Sequence, residues 1–222
     1  MGMLERLRRL WALRASAHDS AAENSFAQIH TLVQQTRRER GFETDAVAFV
    51  HLVLRRVLGL RDDALRAAVT HGRDDGGIDA IHIDRAGAQV PGCDYQAAHI
   101  VACDYAGSAA EARRPIARAR LEQLAKTWLA IASSTDGGLT LNPPLRARIA
   151  ALHDYWRGIH NDAPHQIHLV TNREHAGIDA TWLEGRMDYY ASHFYHYLEA
   201  ADLLAALGLP AGPPSRPGEP RP

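Results

Sequence analysis

The fold of this chain is decided by residues 72–84, which read Gly-Arg-Asp-Asp-Gly-Gly-Ile-Asp-Ala-Ile-His-Ile-Asp. The glycines favour a tight turn, because glycine adopts backbone conformations that other residues avoid. Asp79 then stands at the beginning of a predicted strand, Gly77–Asp84, in which apolar and polar residues alternate. A carboxylate held on a rigid sheet is suited to bind a divalent metal. The alternative interpretation of the same residues is a polar turn before a hairpin.

Helical and strand-like segments extend from this stretch in both directions. Their order predicts one α/β domain over residues 1–207, with a sheet flanked by helices and with helices at its N-terminal end. The predicted elements are a helix from Phe26 to Gly41, a helix from Thr44 or Asp45 to Gly59, the strands Gly77–Asp84 and His99–Tyr105, a long helix Ala109–Ser133, a helix Leu145–Trp156, a strand Gln166–Thr171, a helical region Asp179–Tyr190, a segment His193–Leu198 that fits strand or helix, and a final helix Ala200–Leu207.

The two ends of the chain differ from this domain in composition. Met1–Arg14 interleaves arginines with leucines, which predicts a basic amphipathic helix that packs on the domain or docks on a membrane or partner. Its arginines interrupt the apolar core that an export signal needs, and no apolar run reaches a membrane-spanning length. Gly208–Pro222 is rich in proline and predicts a disordered tail. We therefore expect a cytoplasmic protein without a membrane segment, whose two cysteines, Cys93 and Cys103, are reduced thiols.

The charge balance limits how this chain can bind nucleic acid. The 222 residues carry 25 basic and 26 acidic side chains, so there is no overall positive excess to attract phosphates. Local basic segments are present, and each fits either a phosphate-binding surface or a solvated helix face. The candidate nucleic-acid-binding residues are Arg113, Arg114, Arg118 and Arg120, with a second group at Arg37, Arg38 and Arg40. Lys126 is the one lysine in the sequence.

Four segments together resemble the PD-(D/E)XK nuclease superfamily, which has the restriction-endonuclease-like fold. They are Gly77-Ile78-Asp79-Ala80, Ile100-Val101-Ala102-Cys103-Asp104-Tyr105, the helix near Ala109–Ser133, and Leu169-Val170-Thr171-Asn172. In this order they are most similar to the N-terminal domain of AIPR-type abortive-infection phage-resistance proteins. The resemblance implies a restriction-endonuclease-like core with a mixed sheet, and a role in bacterial phage defence with nucleic acid or a defence-system protein as partner.

The chain departs from the pattern of these nucleases at two positions. The resemblance implies a metal-binding side chain where Ala102 stands and a catalytic lysine where Asp104 stands. Alanine ligates no metal, and aspartate reverses the charge where an anion needs stabilisation. Losing one such group typically costs on the order of 10²–10³ in rate. The usual nuclease mechanism is therefore not expected.

Two rearrangements would restore catalysis. Asp79 and Asp104 could jointly hold Mg²⁺ or Mn²⁺, with the metal replacing lysine as the charge stabiliser. Alternatively, Lys126 could reach the site from the following helix, although a lone lysine on an amphipathic helix is usually a surface residue. A further carboxylate could come from Glu43 or Asp45 near the start of the second helix.

The 13 histidines show no zinc-binding spacing. His165 and His168 lie three apart on a predicted strand, so they point to opposite faces and cannot share a metal. His193 and His196 would share a face only in a helix. Cys103 is a poor nucleophile, because the neighbouring carboxylate disfavours the thiolate. We interpret the histidines as scattered core and surface residues.

Three functions are compatible with the sequence. The first is a nuclease-fold domain with a degenerate active site that binds nucleic acid or a partner protein. The second is an active Mg²⁺- or Mn²⁺-dependent nuclease with a site rearranged on Asp79 and Asp104. The third is a structural or homo-oligomerisation domain. A basic groove over the Asp79 face favours the first two, and an extensive apolar symmetric interface favours the third.

Overall fold

A computed structural model of the chain describes residues 25–84, 97–134, 138–158, 165–187 and 193–209. The predictions for Met1–Arg14, for Cys93 and for the tail beyond residue 209 lie outside these ranges. Within the described ranges, no helix has the length and apolar character that a membrane crossing requires.

The secondary structure alternates between helices and strands along the chain. In order, the elements are α1 (residues 25–40), α2 (Asp45–Arg56), α3 (Asp62–Ala68), β1 (Ala80–Asp84), β2 (Ala97–Asp104), α4 (Ala109–Ala112), α5 (Arg118–Ala132), α6 (Pro143–Gly158), β3 (His165–Thr171), α7 (Ala180–Met187), β4 (His193–Leu198) and α8 (Ala200–Ala206).

The first two helices begin and end where the sequence predicts. Gly41 ends α1 with a φ of 69°, a left-handed conformation that favours glycine. Thr44 caps α2, because its side chain accepts a hydrogen bond of 3.2 Å from the backbone N–H of Val47. Gly59, with a φ of 69°, follows the end of α2. These boundaries are confirmed.

Other predicted boundaries need correction. The single long helix Ala109–Ser133 is wrong, because α4 and α5 are separate helices with residues 113–117 between them. Pro115 stands in that break, and proline cannot donate the backbone hydrogen bond that a continuous helix requires. The short helix α3 was not predicted. The ambiguous segment His193–Leu198 is a strand, so the helical arrangement in which His193 and His196 share a face is not formed.

The four strands form one mixed sheet in the order β1-β2-β3-β4. Strand β1 pairs with β2 antiparallel, and β2–β3 and β3–β4 are parallel pairs. An additional bridge joins Val69 to Ala80 on the outer side of β1. Parallel neighbours require crossover connections, and helices α4 to α6 supply the one between β2 and β3.

Helices cover both faces of this sheet, which confirms the predicted α/β layers. Helices α1, α2, α3 and α8 pack on one face around Phe49, Leu54 and Val101, which we call the first face. Helices α5, α6 and α7 pack on the other around Ile100 and Trp128, which we call the second face. Alternation along β2 sends Val101 and Cys103 to the first face and Ala102 to the second.

The glycine pair before β1 allows the turn to lie directly on α5. Gly76 has a φ of 62°, and a Cβ atom at this position would lie 2.6 Å from Oγ1 of Thr127. Gly77 has a φ of 82°, where a side chain would be strained. Both positions therefore require glycine, and the resulting turn fixes where Asp79 enters the sheet.

A row of four histidines crosses the sheet on its first face. His82, His99, His168 and His196 come from the four strands, and neighbouring ring centroids lie 6.0, 5.4 and 4.7 Å apart. Nδ1 of His99 and Nε2 of His168 share a hydrogen bond of 3.2 Å. His165 lies on the opposite face against Trp128 and Trp156, so the prediction that it cannot share a metal with His168 is confirmed.

Burial favours the neutral form of each imidazole in this row. It lowers the pKa of His99 to about 4 and lowers the pKa of His82 and His196 from the usual value. The pKa of His168 falls well below its usual value for the same reason, with a further contribution from His99. The interpretation of the histidines as scattered residues therefore misses an ordered row.

This row predicts a loss of stability in mild acid. An unfolded chain binds protons at its histidines near pH 6.5, whereas His99 in the folded chain does not until about pH 4. Stability is therefore fully present above the unfolded pKa and falls as the pH drops below it. Between pH 7.5 and 5.5, His99 lowers the free energy of unfolding by roughly 1 kcal/mol. Urea unfolding at each pH should show a smaller decrease for His99→Phe than for the unaltered chain, and equal decreases would contradict the assignment.

Candidate functional site

Asp79 is held in the sheet by contacts to two other segments, β2 and the residues before the glycine turn. Its carboxylate is 1% exposed, and Oδ2 accepts a hydrogen bond of 2.7 Å from the backbone N–H of Cys103. Oδ1 accepts a hydrogen bond from Nδ1 of His71. The Asp79 backbone binds the segment before the glycine turn, because its carbonyl accepts the N–H groups of Thr70 and His71 at 2.9 and 3.0 Å. The position immediately before β1 thus fixes the carboxylate at the edge between β1 and β2.

Asp104 is the last residue of β2, and its side chain points to the second face, as that of Ala102 does. Its Oδ2 accepts a hydrogen bond of 2.5 Å from Nε of Arg173, which follows β3. The hydroxyl of Thr171 lies 3.4 Å from the same oxygen. Asp104 is 7% exposed, so its charge is compensated inside the protein rather than by water.

Arg120 joins the two aspartates. Arg120 lies in the first turn of α5. Its Nη2 lies 3.6 Å from Oδ2 of Asp79, and its Nε lies 3.4 Å from Oδ1 of Asp104. The same side chain donates a hydrogen bond to the carbonyl of Cys103. One guanidinium therefore spans both carboxylates, and a metal ion held jointly by Asp79 and Asp104 would have to displace it. The side chain of Arg120 is 39% exposed, so this cation also faces the surface.

Arg173 is the second cation at this site and, unlike Arg120, it is buried. Its side chain is 8% exposed and donates to the carbonyls of Glu111 and Arg114 at 2.5 and 3.1 Å, in addition to its bond with Asp104. Nη2 lies 3.3 Å from Oε1 of Glu111. These contacts tie the loop after β3 to the break between α4 and α5, so Arg173 fixes the chain around Asp104.

His71, Asp75 and Asp79 form a group with metal-ligating atoms within 4.8 Å of one another. Nδ1 of His71 lies 3.7 Å from Oδ2 of Asp75. The hydrogen bond that His71 donates to Asp79 raises the pKa of His71, and burial raises the pKa of Asp75. The oxygens of Asp75 already accept the backbone N–H groups of Gly72 and Gly77 at 3.0 and 2.9 Å. A metal at this group would compete with a proton on His71 and with these turn contacts.

The other predicted carboxylates are Asp45 and Glu43. Asp45 pairs with Arg37 at 3.2 Å and belongs to the first turn of α2, on the first face. Burial raises the pKa of Tyr105, and Asp45 raises it further. Asp45 therefore lies beside Tyr105, the residue that follows Asp104. Glu43 is exposed, and its backbone carbonyl accepts a hydrogen bond from Arg37.

Lys126 is exposed on α5. It stands six residues after Arg120, which is about 120° around the helix. The cations beside Asp79 and Asp104 are Arg120 and Arg173, and Lys126 is not among the described residues paired with these aspartates.

The predicted nucleic-acid-binding arginines lie together around the start of α5. Arg113 and Arg118 are more than half exposed and lie 4.0 Å from Glu174 and 3.3 Å from Glu122, respectively. The guanidinium carbon of Arg118 also lies 3.6 Å above the ring centroid of Trp182. Arg114 is exposed in the break between α4 and α5. We call Arg113, Arg114, Arg118 and Arg120 the arginine patch, and its outer members remain accessible to a ligand.

Cys103 is buried and does not act as a nucleophile here. Burial raises the pKa of its thiol well above the usual value, and Asp79 raises it further. The sequence attributes this effect to the neighbouring Asp104, whereas burial and Asp79 contribute most of it.

Two residues of the site were not found by sequence reasoning. Arg173 follows the quoted Val-Thr-Asn turn by one position, so its place after a buried strand was a usable signal. His71 stands eight residues before Asp79, and no spacing rule connects them. No family model, no curated protein and no solved structure matches this chain. The site therefore has to be interpreted from its own geometry.

Loss of Arg173 should unfold much of this site. Arg173→Met leaves Asp104 buried with less compensation, and we expect a loss of about 3–5 kcal/mol in the free energy of unfolding. The matched control Arg61→Met removes an arginine that is 88% exposed and should cost less than about 0.5 kcal/mol. Guanidinium chloride unfolding measures both. The double variant Arg173→Met with Asp104→Asn should lose less free energy of unfolding than the sum of the losses in the two single variants. A loss equal to that sum would contradict the pairing of Arg173 with Asp104.

Proposed function

We propose that this chain is a nuclease-fold domain that binds nucleic acid without cleaving it. The observation that carries the proposal is the guanidinium of Arg120, which lies within 3.6 Å of Asp79 and 3.4 Å of Asp104. A catalytic metal needs free carboxylate oxygens, whereas these carboxylates are already neutralised by a resident cation. A side chain that replaces the metal retains positive charge at the site but supplies no activated water.

The arrangement of elements supports the nuclease-fold part of the proposal. Helices come first, followed by an antiparallel pair that begins at Asp79, a crossover that contains α5, and the strand β3 that ends in Val170, Thr171 and Asn172. This is the order in which the resemblance to PD-(D/E)XK nucleases expects its segments. Ala102 and Asp104 lie on the side of the sheet that faces α5, as the metal-binding and lysine positions of such a nuclease would.

The arginine patch supports the binding part. Arginine is suited to phosphate because its planar guanidinium donates two parallel hydrogen bonds. Arg113, Arg118 and Arg120 already have acidic neighbours, and the whole chain has a formal net charge of −1. We therefore expect moderate affinity with a clear salt dependence, rather than the strong binding of a highly basic domain.

The proposed setting follows from the resemblance. A domain of this kind would act inside the bacterial cell within a phage-defence system, recognising nucleic acid or a protein of that system. A partner protein is the proposed alternative ligand for the same surface. The structural or oligomerisation function stays a prediction.

A second candidate is an active metal-dependent nuclease, and the group of His71, Asp75 and Asp79 favours it. Here Asp79 and Asp75 would hold Mg²⁺ or Mn²⁺ through oxygen, with Mn²⁺ better suited to the imidazole. When bound, such a metal would lower the pKa of a water molecule and stabilise the phosphate. Asp104 would then serve to position Arg120 rather than to bind metal.

Binding should depend on the arginine patch. Fluorescence anisotropy with labelled single- and double-stranded DNA and RNA should show affinity that falls as salt increases. Replacing Arg113, Arg114 and Arg118 by glutamine should lower the slope of log K against log salt by roughly 2–3, because each phosphate contact contributes about 0.7–0.9. Replacing Arg61, Arg146 and Arg157, which are exposed elsewhere, removes the same charge and should change the slope much less.

Cleavage separates the two candidates. With Mg²⁺ or Mn²⁺ present, the proposal predicts no cleavage by the unaltered chain above that of Asp79→Ala. Metal-dependent cleavage that disappears in both Asp79→Ala and Asp75→Asn would contradict the proposal and establish the second candidate. A patch variant that binds as tightly as its charge-matched control would contradict the binding surface.

A further inference from the structure

A cavity of about 420 Å³ lies between the end of α1, α2 and α3. Its volume falls in the range of small-molecule sites, roughly 300–1,000 Å³. Apolar side chains form one part of its wall, namely Phe42, Val47, Val50, Leu65 and Val69. Asp62 and Arg66 are among the polar residues that line the rest. The apolar part is suited to bury an apolar or aromatic group rather than a hydrated one.

The apolar cavity also contains an aromatic pair. The rings of Phe42 and His51 both line it, with centroids 4.9 Å apart and planes inclined at 50°. Burial lowers the pKa of His51, and the charge of Arg40 lowers it further, so the ring is predominantly neutral at neutral pH. A neutral imidazole beside a phenyl ring offers flat surfaces on which a planar base can stack.

A second, polar cavity of about 320 Å³ adjoins the first, and Arg40 and His51 line both. Arg55 and Arg56 line the polar cavity together with Arg40, so three guanidinium groups surround it. One carboxylate among its lining residues, Glu39, accepts a hydrogen bond of 2.7 Å from Gln35. The balance of charge favours an anion in this cavity.

The arginines are not fully occupied by their acidic neighbour. Asp62 lies 2.5 Å from Nη1 of Arg55 and 3.8 Å from Nη1 of Arg40, so Arg55 makes the closer pair. The side chains of Arg40 and Arg55 are 46% and 42% exposed. Their remaining N–H groups can donate to phosphate oxygens, which accept such bonds strongly.

We propose that the two adjoining cavities form one site for a nucleoside 5′-phosphate, with the base in the apolar cavity and the phosphate at Arg40, Arg55 and Arg56. The ligand would be either a free mononucleotide or the 5′-phosphorylated end of a strand, since both present the same chemistry. This site lies on the first face and is distinct from the arginine patch on α5. It does not depend on the proposed function.

Calorimetric titration of the full chain with AMP, GMP, CMP and UMP tests the site. At least one mononucleotide should bind, and its nucleoside and ribose 5-phosphate should each bind at least about tenfold more weakly, because each fills one cavity. Arg40→Gln should weaken binding about tenfold or more, since a charged hydrogen bond is lost. The matched control Arg146→Gln, exposed on α6 and outside both cavities, should change it less than about twofold.

A second variant and a second ligand sharpen the test. Val47→Phe reduces the apolar cavity and should weaken the mononucleotide more than ribose 5-phosphate, with folding verified by circular dichroism. A 5′-phosphorylated tetranucleotide that binds as well as the mononucleotide identifies a strand end as ligand, and one that fails to bind identifies the free nucleotide. Failure of all four mononucleotides to bind at 1 mM, or equal affinity for Arg40→Gln and Arg146→Gln, would overturn the proposal.

The same titration on the variant in which Arg113, Arg114 and Arg118 are glutamine keeps this inference separate from the proposed function. These three arginines lie outside both cavities, so the variant should bind the mononucleotide normally even if its affinity for longer nucleic acid falls. Loss of mononucleotide binding in this variant, when folded, would contradict an independent site.

Discussion

The guanidinium of Arg120 links the parts of the molecule that surround the candidate site. Asp79 and Asp104 are nearly inaccessible to water, and two buried carboxylates near one another are unstable unless a cation or protons compensate them. Arg120 provides that compensation for both, and Arg173 adds a second cation at Asp104. The start of α5, the end of β2 and the loop after β3 therefore have to meet at one place. In a metal-dependent nuclease the compensating charge would be the metal.

This constraint also explains which sequence predictions succeed. The glycine turn, the strand after Asp79 and the buried strand ending at Thr171 follow from local signals, namely glycine conformation and strand alternation. The α/β layers follow from the order of these elements. Asp79 and Asp104 could be named as site residues because the resemblance places carboxyl and lysine positions there. Their partners could not be predicted, because Arg120 and Arg173 reach them across the fold.

Other details depended on tertiary contacts that a linear pattern does not contain. The apolar spacing on either side of Pro115 suits one continuous helix, so this spacing does not reveal the break between α4 and α5. The four histidines of the row come from four strands, and only the register of the sheet brings His99 next to His168. The cavities between α1, α2 and α3 depend on α3, a seven-residue helix that the periodicity did not predict.

His71 contacts both the apolar cavity and Asp79. It lines the apolar cavity and also donates to Asp79, so it touches both the proposed nucleotide site and the carboxylates that Arg120 spans. A ligand that moved His71 would alter the hydrogen bonding of Asp79 without contacting the arginine patch. The two sites therefore use different arginines, and the imidazole of His71 lies between them.

We propose that the guanidinium of Arg120, rather than a metal, compensates Asp79 and Asp104. A crystal of the full chain soaked in Mn²⁺ at pH 7.5, with anomalous diffraction data, tests this proposal. We expect Arg120 between the two carboxylates and no anomalous peak within about 2.5 Å of either, a distance that covers oxygen ligation of such cations. A strong peak bound to both Asp79 and Asp104, with Arg120 displaced, would contradict it.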